Sequence, residues 1–370
     1  MDGLWKWFWQ PSAPFEFGLL LASFLFAATT TWLAIVYARR RRLIDLPGPR
    51  RSHATPTPRG GGMGIVVAVL FGIAVTAHFF GSTTLEPVRV AAAIVFVAAI
   101  GWLDDHRGAG IVWRLLAHFL AIAIVLWPLM MDAVVRHEAA YEVFTGSPGL
   151  NAFLALMLCL AFVWSINLHN FMDGINGLLA TQVIFVFLSA AMLCRDPLAT
   201  ALLPLWAAAA VGFLPFNFPR ARVFMGDVGS GVLGLLVAVA VFLQFAAPSD
   251  SAFSGVIACS AFVTDATCTL FSRMLRGRRW YSAHREHLYQ WLARSGFSHT
   301  GVVALYMSWN LLIVAPVLYF ASRLRFATYG SASSDSAYGF VWAIVVYALA
   351  AVVWILGKRW CIHQARNAAK

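Results

Sequence analysis

Long runs of apolar residues, separated by short polar segments, extend through nearly the whole chain. Each run approaches the roughly 20 residues that an α-helix needs to cross a bilayer. The pattern predicts an all-α, polytopic integral membrane protein with about eleven transmembrane helices, or ten if one run does not cross. No linker divides residues 1–370, so they form a single predicted transmembrane domain. The eleven predicted spans cover residues 17–38, 60–80, 87–103, 111–131, 150–168, 178–194, 198–218, 229–248, 253–272, 301–321 and 338–357.

The composition favours a membrane protein over a soluble one. Of the 370 residues, 61% are hydrophobic and only 12% are charged, whereas soluble domains are about 25% charged. The net charge is +11, but the basic residues lie in short loops instead of one patch, which argues against a nucleic-acid partner. The five cysteines show no CxxC spacing, so the sequence indicates neither a disulfide framework nor a zinc site.

The basic residues also predict the orientation of the chain. One side of the predicted spans collects 21 of the 27 Lys and Arg residues, and the other side carries 6. Because cytoplasmic loops hold the excess of Lys and Arg, the first side is predicted to be cytoplasmic. The N-terminus then lies outside and the C-terminus lies in the cytoplasm, as eleven crossings require.

Unusual polar residues concentrate in five segments on the predicted cytoplasmic side. This one-sided distribution favours an enzyme that acts on a cytoplasmic soluble substrate. The alternative is a transporter or flippase of a phosphorylated solute, although alternating-access carriers bind near the midplane of the membrane. Asp265 is the one acid well inside a predicted span, where it is either functional or the structural partner of an arginine. The five predicted active-site loops cover residues 39–59, 104–110, 169–177, 219–230 and 273–300.

Adjacent acids and a run of amides suggest a site for a divalent cation. Asp104 and Asp105 directly follow an apolar run, and because neighbouring carboxylates repel, the pair favours a compensating cation such as Mg²⁺ over a solvated helix end. Asn170, Asp173 and Asn176 recur at every third position, which on a helix would make one slowly drifting polar stripe. Their oxygens suit Mg²⁺ and sugar hydroxyls, while an interhelical hydrogen-bond ladder is the alternative.

Three further segments have the character of phosphate or metal sites. Asp227 lies between glycines at a predicted helix start, as either a helix cap or a metal ligand on a tight loop. Arg59 precedes the glycine cluster 60–62 and is a candidate for anion contact. His284, Arg285 and His287 lie in a strongly basic loop that suits a diphosphate or a lipid phosphate. Contact with anionic lipid is the alternative for that loop.

Together these motifs resemble the polyprenyl-phosphate N-acetylhexosamine-1-phosphate transferases of glycosyltransferase family 4. The similarity is closest to the bacterial branch that starts O-antigen and related polysaccharides, and phospho-N-acetylmuramoyl-pentapeptide transferase is a more distant relative. It rests on five motifs in order, namely Pro-Thr-Pro-Arg-Gly-Gly-Gly, Leu-Asp-Asp, Asn-Phe-Met-Asp-Gly-Ile-Asn-Gly, Phe-Met-Gly-Asp-Val-Gly-Ser and His-Arg-Glu-His.

The resemblance implies a reaction, a cofactor and a location. Undecaprenyl phosphate would attack the β-phosphorus of a UDP-N-acetylhexosamine, giving undecaprenyl-diphospho-sugar and UMP with Mg²⁺, for which Mn²⁺ can substitute. Direct displacement is favoured, and a route through a covalent aspartyl intermediate is the alternative. The enzyme would be a multi-pass protein of the bacterial inner membrane with its active site facing the cytoplasm, and relatives suggest a homodimer. The sugar stays open among GlcNAc, GalNAc, QuiNAc and FucNAc.

The resemblance also assigns roles by position. Asn176 departs from the pattern, because many bacterial members have Asp there; an amide can bind Mg²⁺ but cannot act as a base. The expected catalytic residues are Asp104, Asp105 and Asp173, the expected metal ligands are Asp227 and Asn176, and the expected substrate-binding residues are Asn170, Arg59, His284, Arg285 and His287.

Overall fold

A computed structural model describes residues 13–47, 55–80, 87–130, 147–194, 197–246, 253–279, 284–327 and 332–367. Most of these residues are helical. A π-helical segment covers Asn310–Val314, and two short strands, β1 (Ile44–Asp45) and β2 (Thr57–Pro58), pair antiparallel. The α-helices of the described residues are α1 (Ala13–Arg41), α2 (Met63–Phe80), α3 (Pro87–Arg107), α4 (Ile111–Met130), α5 (Pro148–Met172), α6 (Leu178–Leu193), α7 (Pro197–Asn217), α8 (Asp227–Ala246), α9 (Ser254–Ala258), α10 (Ser260–Leu275), α11 (Leu288–Arg294), α12 (His299–Trp309), α13 (Ala315–Ala327) and α14 (Ala332–Asn367).

Helices occupy all eleven predicted spans. Seven helical stretches among the described residues are long and apolar enough to cross a membrane. Helices α2, α4 and α6 are also apolar, but over shorter lengths. The prediction of an all-α polytopic membrane protein is therefore confirmed, while the number of crossings and their direction stay predictions. The seven stretches are Glu16–Arg41, Pro87–Arg107, Gly149–Met172, Ala199–Asn217, Asp227–Phe245, His299–Ser322 and Tyr338–Asn367.

Two predicted spans are less regular than the sequence indicated. The span 253–272 is divided at Cys259 into α9 and α10, and the span 301–321 contains the π-helical segment. Gln182 of α6 contacts both irregular spans. Its Nε2 donates to the Ala258 carbonyl at 3.1 Å, and its Oε1 accepts from the Asn310 side-chain amide at 2.7 Å. Irregular backbone at membrane depth needs such internal partners, since lipid offers none.

Helix α8 is the central helix of the bundle. Its apolar stretch is 89% buried, whereas the other six candidate spans are 22–56% buried. Gly234 allows the close approach of α5, because a Cβ atom there would collide with the backbone of Ile166 and Ser165. The first residue of this buried helix is Asp227, so the helix places a carboxylate at the centre of one end of the bundle.

A second backbone contact brings the loop before α2 to the same place. The amide of Phe224 donates to the Pro58 carbonyl at 2.8 Å, and the amide of Gly61 donates to the Phe224 carbonyl at 2.9 Å. Gly62 packs on Gly229 so closely that a Cβ atom at either position would meet backbone or side-chain atoms. These contacts place Arg59, between Pro58 and the glycines, beside the start of α8.

Candidate functional site

The start of α8 is capped by Asp105 from the end of α3. Its Oδ1 accepts a hydrogen bond from the Asp227 amide at 3.0 Å, and its Oδ2 accepts one from the Val228 amide at 3.3 Å. The first amides of a helix have no partner within the helix, so a carboxylate there satisfies them and interacts favourably with the helix dipole. Gly226 turns the chain in the left-handed region (φ 77°), and a Cβ atom there would collide with the Asp105 carboxylate.

The side chain of Asp227 is surrounded by two arginines and a second acid. Arg59 Nη2 lies 2.8 Å from Asp227 Oδ1, and its Nε lies 2.7 Å from Asp105 Oδ1. Arg114 Nη1 lies 3.1 Å from Asp227 Oδ2 and 3.4 Å from Asp104 Oδ2. The carboxyl groups of Asp104 and Asp227 also share a hydrogen bond. These five residues, which we call the aspartate–arginine cluster, come from four separate segments of the chain.

A cavity of about 260 Å³ opens beside this cluster. Five of its lining residues were predicted from the sequence as site residues, whereas Asp104 and Asp105 are not part of the lining. Asp45, on β1, and Asn217, at the end of α7, were missed, because neither belongs to a polar motif and only the fold brings them to the cavity. The cavity is lined by Asp45, Arg59, Asn170, Asp173, Gly174, Ile175, Asn217, Phe224, Gly226, Asp227, Arg285, Gln290 and Ala293.

The amide-rich segment reaches the cavity at the end of α5. Asn170 links the segment to the cluster, since its Oδ1 accepts from Arg114 Nη2 at 3.3 Å and its Nδ2 donates to Ser230 Oγ at 3.0 Å. Helix α5 ends at Met172, and Asp173 follows as the capping residue. Burial, reinforced by the negative charge of Asp227, raises the pKa of the Asp173 carboxyl well above its ordinary value.

The predicted helical stripe does not extend to Asn176. Because α5 has already ended, Asn176 lies in the following turn and its amide donates to the Pro219 carbonyl at 3.2 Å. Asn176 is not among the residues that line the cavity. The next residue, Gly177, adopts φ 78° and donates its amide hydrogen to Asn217 Oδ1 at 2.6 Å. Asp227 lines the cavity and Asn176 does not, and the assignment of Asn176 as a metal ligand stays a prediction.

Of the three predicted site residues in the basic loop, His284, Arg285 and His287, Arg285 alone is among the residues that line the cavity. The rings of His284 and His287 lie 5.0 Å apart, and His287 is buried against Phe171 and Tyr289. Burial lowers the pKa of His284 to about 4, and the nearby positive groups add to the effect. Burial also lowers the pKa of His287. Both imidazoles are therefore neutral at pH 7, so Arg285 and not the histidines brings positive charge to this wall.

Asp265 does not pair with an arginine in the described structure. Its hydrogen-bond partners are backbone amides and the side chains of Thr269, Tyr306 and Trp354. Arg273, which lies about two turns beyond Asp265 on the same helix, instead forms an ion pair with Glu286. Burial would raise the pKa of Glu286, but Arg278 and Arg273 outweigh it and lower that pKa. The hydrogen-bond partners of Asp265 are thus uncharged donors, and not the arginine that the sequence offered as one alternative.

The oxygens of the cluster suit a hard cation. Within the described residues, no group of three or more His, Cys, Asp or Glu side chains is arranged to hold a metal ion. Mg²⁺ needs fewer protein ligands, because it is usually bound by one or two carboxylates together with water and substrate phosphates. Asp104 and Asp227, which already touch each other, are a donor pair of this kind.

Part of the predicted loops lies outside the described residues. Residues 48–54 of the segment 39–59 and residues 280–283 of the segment 273–300 are in this group. In the described parts, the segments 104–110, 169–177 and 219–230 include helix ends as well as loops. The aspartate–arginine cluster nevertheless draws on three of the five segments, through Arg59, Asp104, Asp105 and Asp227.

The chain is similar to known sugar-phosphate transferases. A family model described as "Glycosyl transferase family 4" matches residues 88–244. The chain is 30% identical over 379 residues to decaprenyl-phosphate N-acetylglucosaminephosphotransferase of Mycobacterium tuberculosis, covering 90% of this chain and 88% of the relative. The corresponding protein of Mycolicibacterium smegmatis is 28% identical over 365 residues, covering 88% of this chain and 86% of the relative.

A third relative is undecaprenyl-phosphate alpha-N-acetylglucosaminyl 1-phosphate transferase of Escherichia coli K12. It is 25% identical over 293 residues, covering 75% of this chain and 77% of the relative. The similarity to the mycobacterial protein extends over nearly the whole of both chains, and it includes the segments that form the cluster and the cavity. This chain is a sugar-phosphate transferase, and it belongs to glycosyl transferase family 4.

Proposed function

We propose that this enzyme transfers N-acetylglucosamine 1-phosphate from UDP-N-acetylglucosamine to undecaprenyl phosphate, giving undecaprenyl-diphospho-N-acetylglucosamine and UMP. The observation that carries the proposal is the aspartate–arginine cluster at a polar cavity, with Arg59 and Asp227 in its wall. Two guanidinium groups suit a diphosphate, and the adjacent carboxylates suit the cation that accompanies it. The names of the relatives favour N-acetylglucosamine over the other N-acetylhexosamines.

The transfer needs positioning and charge neutralisation more than a strong base. An oxygen of the lipid phosphate forms a bond to the β-phosphorus, and the bond from that phosphorus to the bridging oxygen breaks as UMP leaves. The second pKa of a phosphate monoester is about 6, so the nucleophile is mostly a dianion at pH 7. Arg59 and Arg114 then hold the diphosphate, and Asp104 positions the incoming phosphate and accepts any proton that remains on it.

We include Mg²⁺ in the proposal, with Mn²⁺ as a substitute. Asp227 and Asp104 would hold the ion, which would neutralise phosphate charge and stabilise the leaving UMP. Arg59 and Arg114, which contact the Asp227 oxygens in the structure, would turn toward the phosphates of the donor when Asp227 holds the ion. Asp105 is not proposed as a ligand of the ion, because its oxygens are engaged by the start of α8 and by the Nε atom of Arg59.

The charge distribution and the relatives support a proposal for the location of the enzyme. We propose eleven crossings of the bacterial inner membrane, with the cavity facing the cytoplasm. The product would start O-antigen or another polysaccharide of the cell envelope, and the enzyme would act as a homodimer. A transporter or flippase is not favoured, because the polar cavity is built from helix ends and loops and not at the middle of a broken helix.

The proposal is tested with purified enzyme in liposomes containing undecaprenyl phosphate. Labelled UDP-N-acetylglucosamine and Mg²⁺ should yield labelled lipid and an equal amount of UMP, and EDTA should stop both. UDP-GalNAc, UDP-QuiNAc and UDP-FucNAc are assayed in parallel to test the sugar. Release of UMP without labelled lipid, or accumulation of intact UDP-sugar inside sealed vesicles, would contradict the proposal. Asp227→Asn is the inactive control.

A further inference from the structure

Asp265 is a buried carboxylate that the proposed chemistry does not use. It is 2% exposed, and its two oxygens accept five hydrogen bonds within the described structure. The donors are the Leu288 amide (2.7 Å), the Tyr289 amide (3.3 Å), the Tyr306 hydroxyl (2.7 Å), the Trp354 indole (3.0 Å) and the Thr269 hydroxyl (3.3 Å). One side chain thereby connects α10, α11, α12 and α14.

The two backbone donors are the first amides of α11. This helix has only seven residues, and a helix so short is unstable by itself in water. A charged acceptor at its start supplies the hydrogen bonds that its own residues cannot. The helix carries Gln290 and Ala293 to the cavity wall, and Arg285 lies just before it. Asp265 therefore fixes one wall of the cavity without touching the cavity.

Tyr289 extends this connection to the opposite wall. Its hydroxyl donates to the Phe171 carbonyl at 2.9 Å and accepts from the Gln290 amide at 3.1 Å. Phe171 lies two residues before Asp173, and the hydroxyl packs so closely on Gly174 that a Cβ atom there would collide with it. Tyr289 is 1% exposed and is not among the residues that line the cavity.

We propose that Asp265 and Tyr289 are positioning residues that together set the distance between the two walls of the donor cavity. Asp265 fixes the backbone of Tyr289, and the Tyr289 hydroxyl then joins the Gln290 wall to the Asp173 wall. This inference rests on the proposed function, since it assigns the cavity to the UDP-sugar. Loss of these hydrogen bonds should weaken binding of the UDP-sugar. The affinity for the lipid phosphate and the rate of the chemical step should stay nearly unchanged.

The test compares two substitutions that remove one buried hydroxyl each. Tyr289→Phe deletes the hydrogen bonds to Phe171 and from Gln290. Tyr347→Phe is the matched control, because its hydroxyl donates to the Val256 carbonyl at 2.8 Å, between α14 and α9 and away from the cavity. Both variants are purified in detergent, their melting temperatures are measured, and their kinetics are determined in the liposome assay. Asp265→Asn, which places an amide among five donors, is the second test variant.

Tyr289→Phe should raise the KM for UDP-N-acetylglucosamine by roughly 2- to 10-fold, the range expected for a hydrogen bond. Its kcat and its KM for undecaprenyl phosphate should stay within about twofold of wild type, and Tyr347→Phe should change none of the three. Asp265→Asn should shift the donor KM in the same direction. Equal donor KM values for Tyr289→Phe and wild type, or equal shifts in both tyrosine variants, would overturn the inference.

Direct binding keeps this inference separate from the proposed function. Thermal stabilisation by UDP is measured for wild type and both variants without any turnover. If wild type binds UDP but transfers no sugar phosphate, the proposed function fails while the comparison of UDP affinities still tests the positioning role. If wild type transfers normally and the affinities of Tyr289→Phe and wild type agree, only the positioning role fails.

Discussion

Asp105 holds Asp227 by its backbone, with the Asp105 Oδ1 atom 3.0 Å from the Asp227 amide nitrogen. The Asp227 side chain is thereby left to contact Arg59, Arg114 and Asp104. The paired acids of α3 consequently have different surroundings. The Asp105 side chain is 3% exposed and bound to the start of α8, whereas that of Asp104 is 14% exposed and meets the Asp227 carboxyl. Adjacent positions in the sequence thus serve different purposes.

This difference predicts unequal effects of Asp105→Asn and Asp104→Asn. Asp105→Asn removes a charged acceptor from two helix amides and from Arg59, so it should lower the free energy of unfolding by about 1–3 kcal/mol and also abolish most turnover. Asp104→Asn should reduce turnover at least tenfold and lower the melting temperature less than Asp105→Asn, because the backbone hydrogen bond that the Asp104 side chain accepts, from the Ala109 amide, can still be accepted by the asparagine oxygen. Thermal unfolding in detergent and the transfer assay measure the two effects. Equal losses of stability in both variants would contradict the division of roles.

Asp227→Asn should abolish turnover while the protein stays folded. The substitution keeps the size of the side chain and the backbone hydrogen bonds to Asp105, but it removes the charge that Arg59, Arg114 and a divalent cation share. We expect a loss of at least about 100-fold in kcat, comparable to the removal of one group that stabilises transition-state charge. Binding of Mn²⁺, followed by electron paramagnetic resonance, should weaken in parallel. Wild-type Mn²⁺ affinity in this variant would remove Asp227 from the metal site.

Much of the fold and part of the site could be predicted from the sequence. Apolar runs long enough to span a bilayer carry a strong signal, so every predicted span is helical, although the spans 253–272 and 301–321 are each made of more than one helical segment. Arg59, Asn170, Asp173, Asp227 and Arg285 were predicted as site residues, and the structure brings them to one cavity. These residues could be recognised from their immediate neighbours in the sequence. A charge or an amide at the end of an apolar run is unfavourable unless it binds something.

Contacts between distant segments could not be predicted. Asp45 belongs to a two-residue strand whose pairing with Thr57 brings it to the cavity, and a pair so short has no periodic signal. Gln182 joins two irregular helices that hydropathy represents as continuous. The stripe from Asn170 to Asn176 assumed an unbroken helix, but α5 ends at Met172. Each error arose where tertiary hydrogen bonds, and not local periodicity, determine the backbone.

Asn176→Asp should retain substantial activity. The Asn176 amide donates to the Pro219 carbonyl, outside the cavity wall, so a carboxylate there loses one exposed hydrogen bond worth about 0.5–1.5 kcal/mol. We expect a kcat/KM for the UDP-sugar within about fivefold of wild type and a slightly lower melting temperature. Asn217→Ala is the contrasting variant, because Asn217 accepts a hydrogen bond from the Gly177 amide and lines the cavity. We expect a larger loss of kcat/KM in this variant. Complete inactivation of Asn176→Asp would show that Asn176 contacts substrate or metal.

His284 should make the folded protein sensitive to mild acid. Because burial lowers its pKa to about 4, below the ordinary value of about 6.5, the unfolded chain binds more protons than the folded one between these pH values. Stability therefore rises with pH across this window and falls as pH decreases from about 6.5 toward 4. His284→Gln should flatten that part of the profile of melting temperature against pH, and a further His287→Gln substitution should flatten it more, since the pKa of His287 is also lowered. His363→Gln is the control, because His363 is exposed to solvent; an equal flattening in that variant would contradict the role of burial at His284.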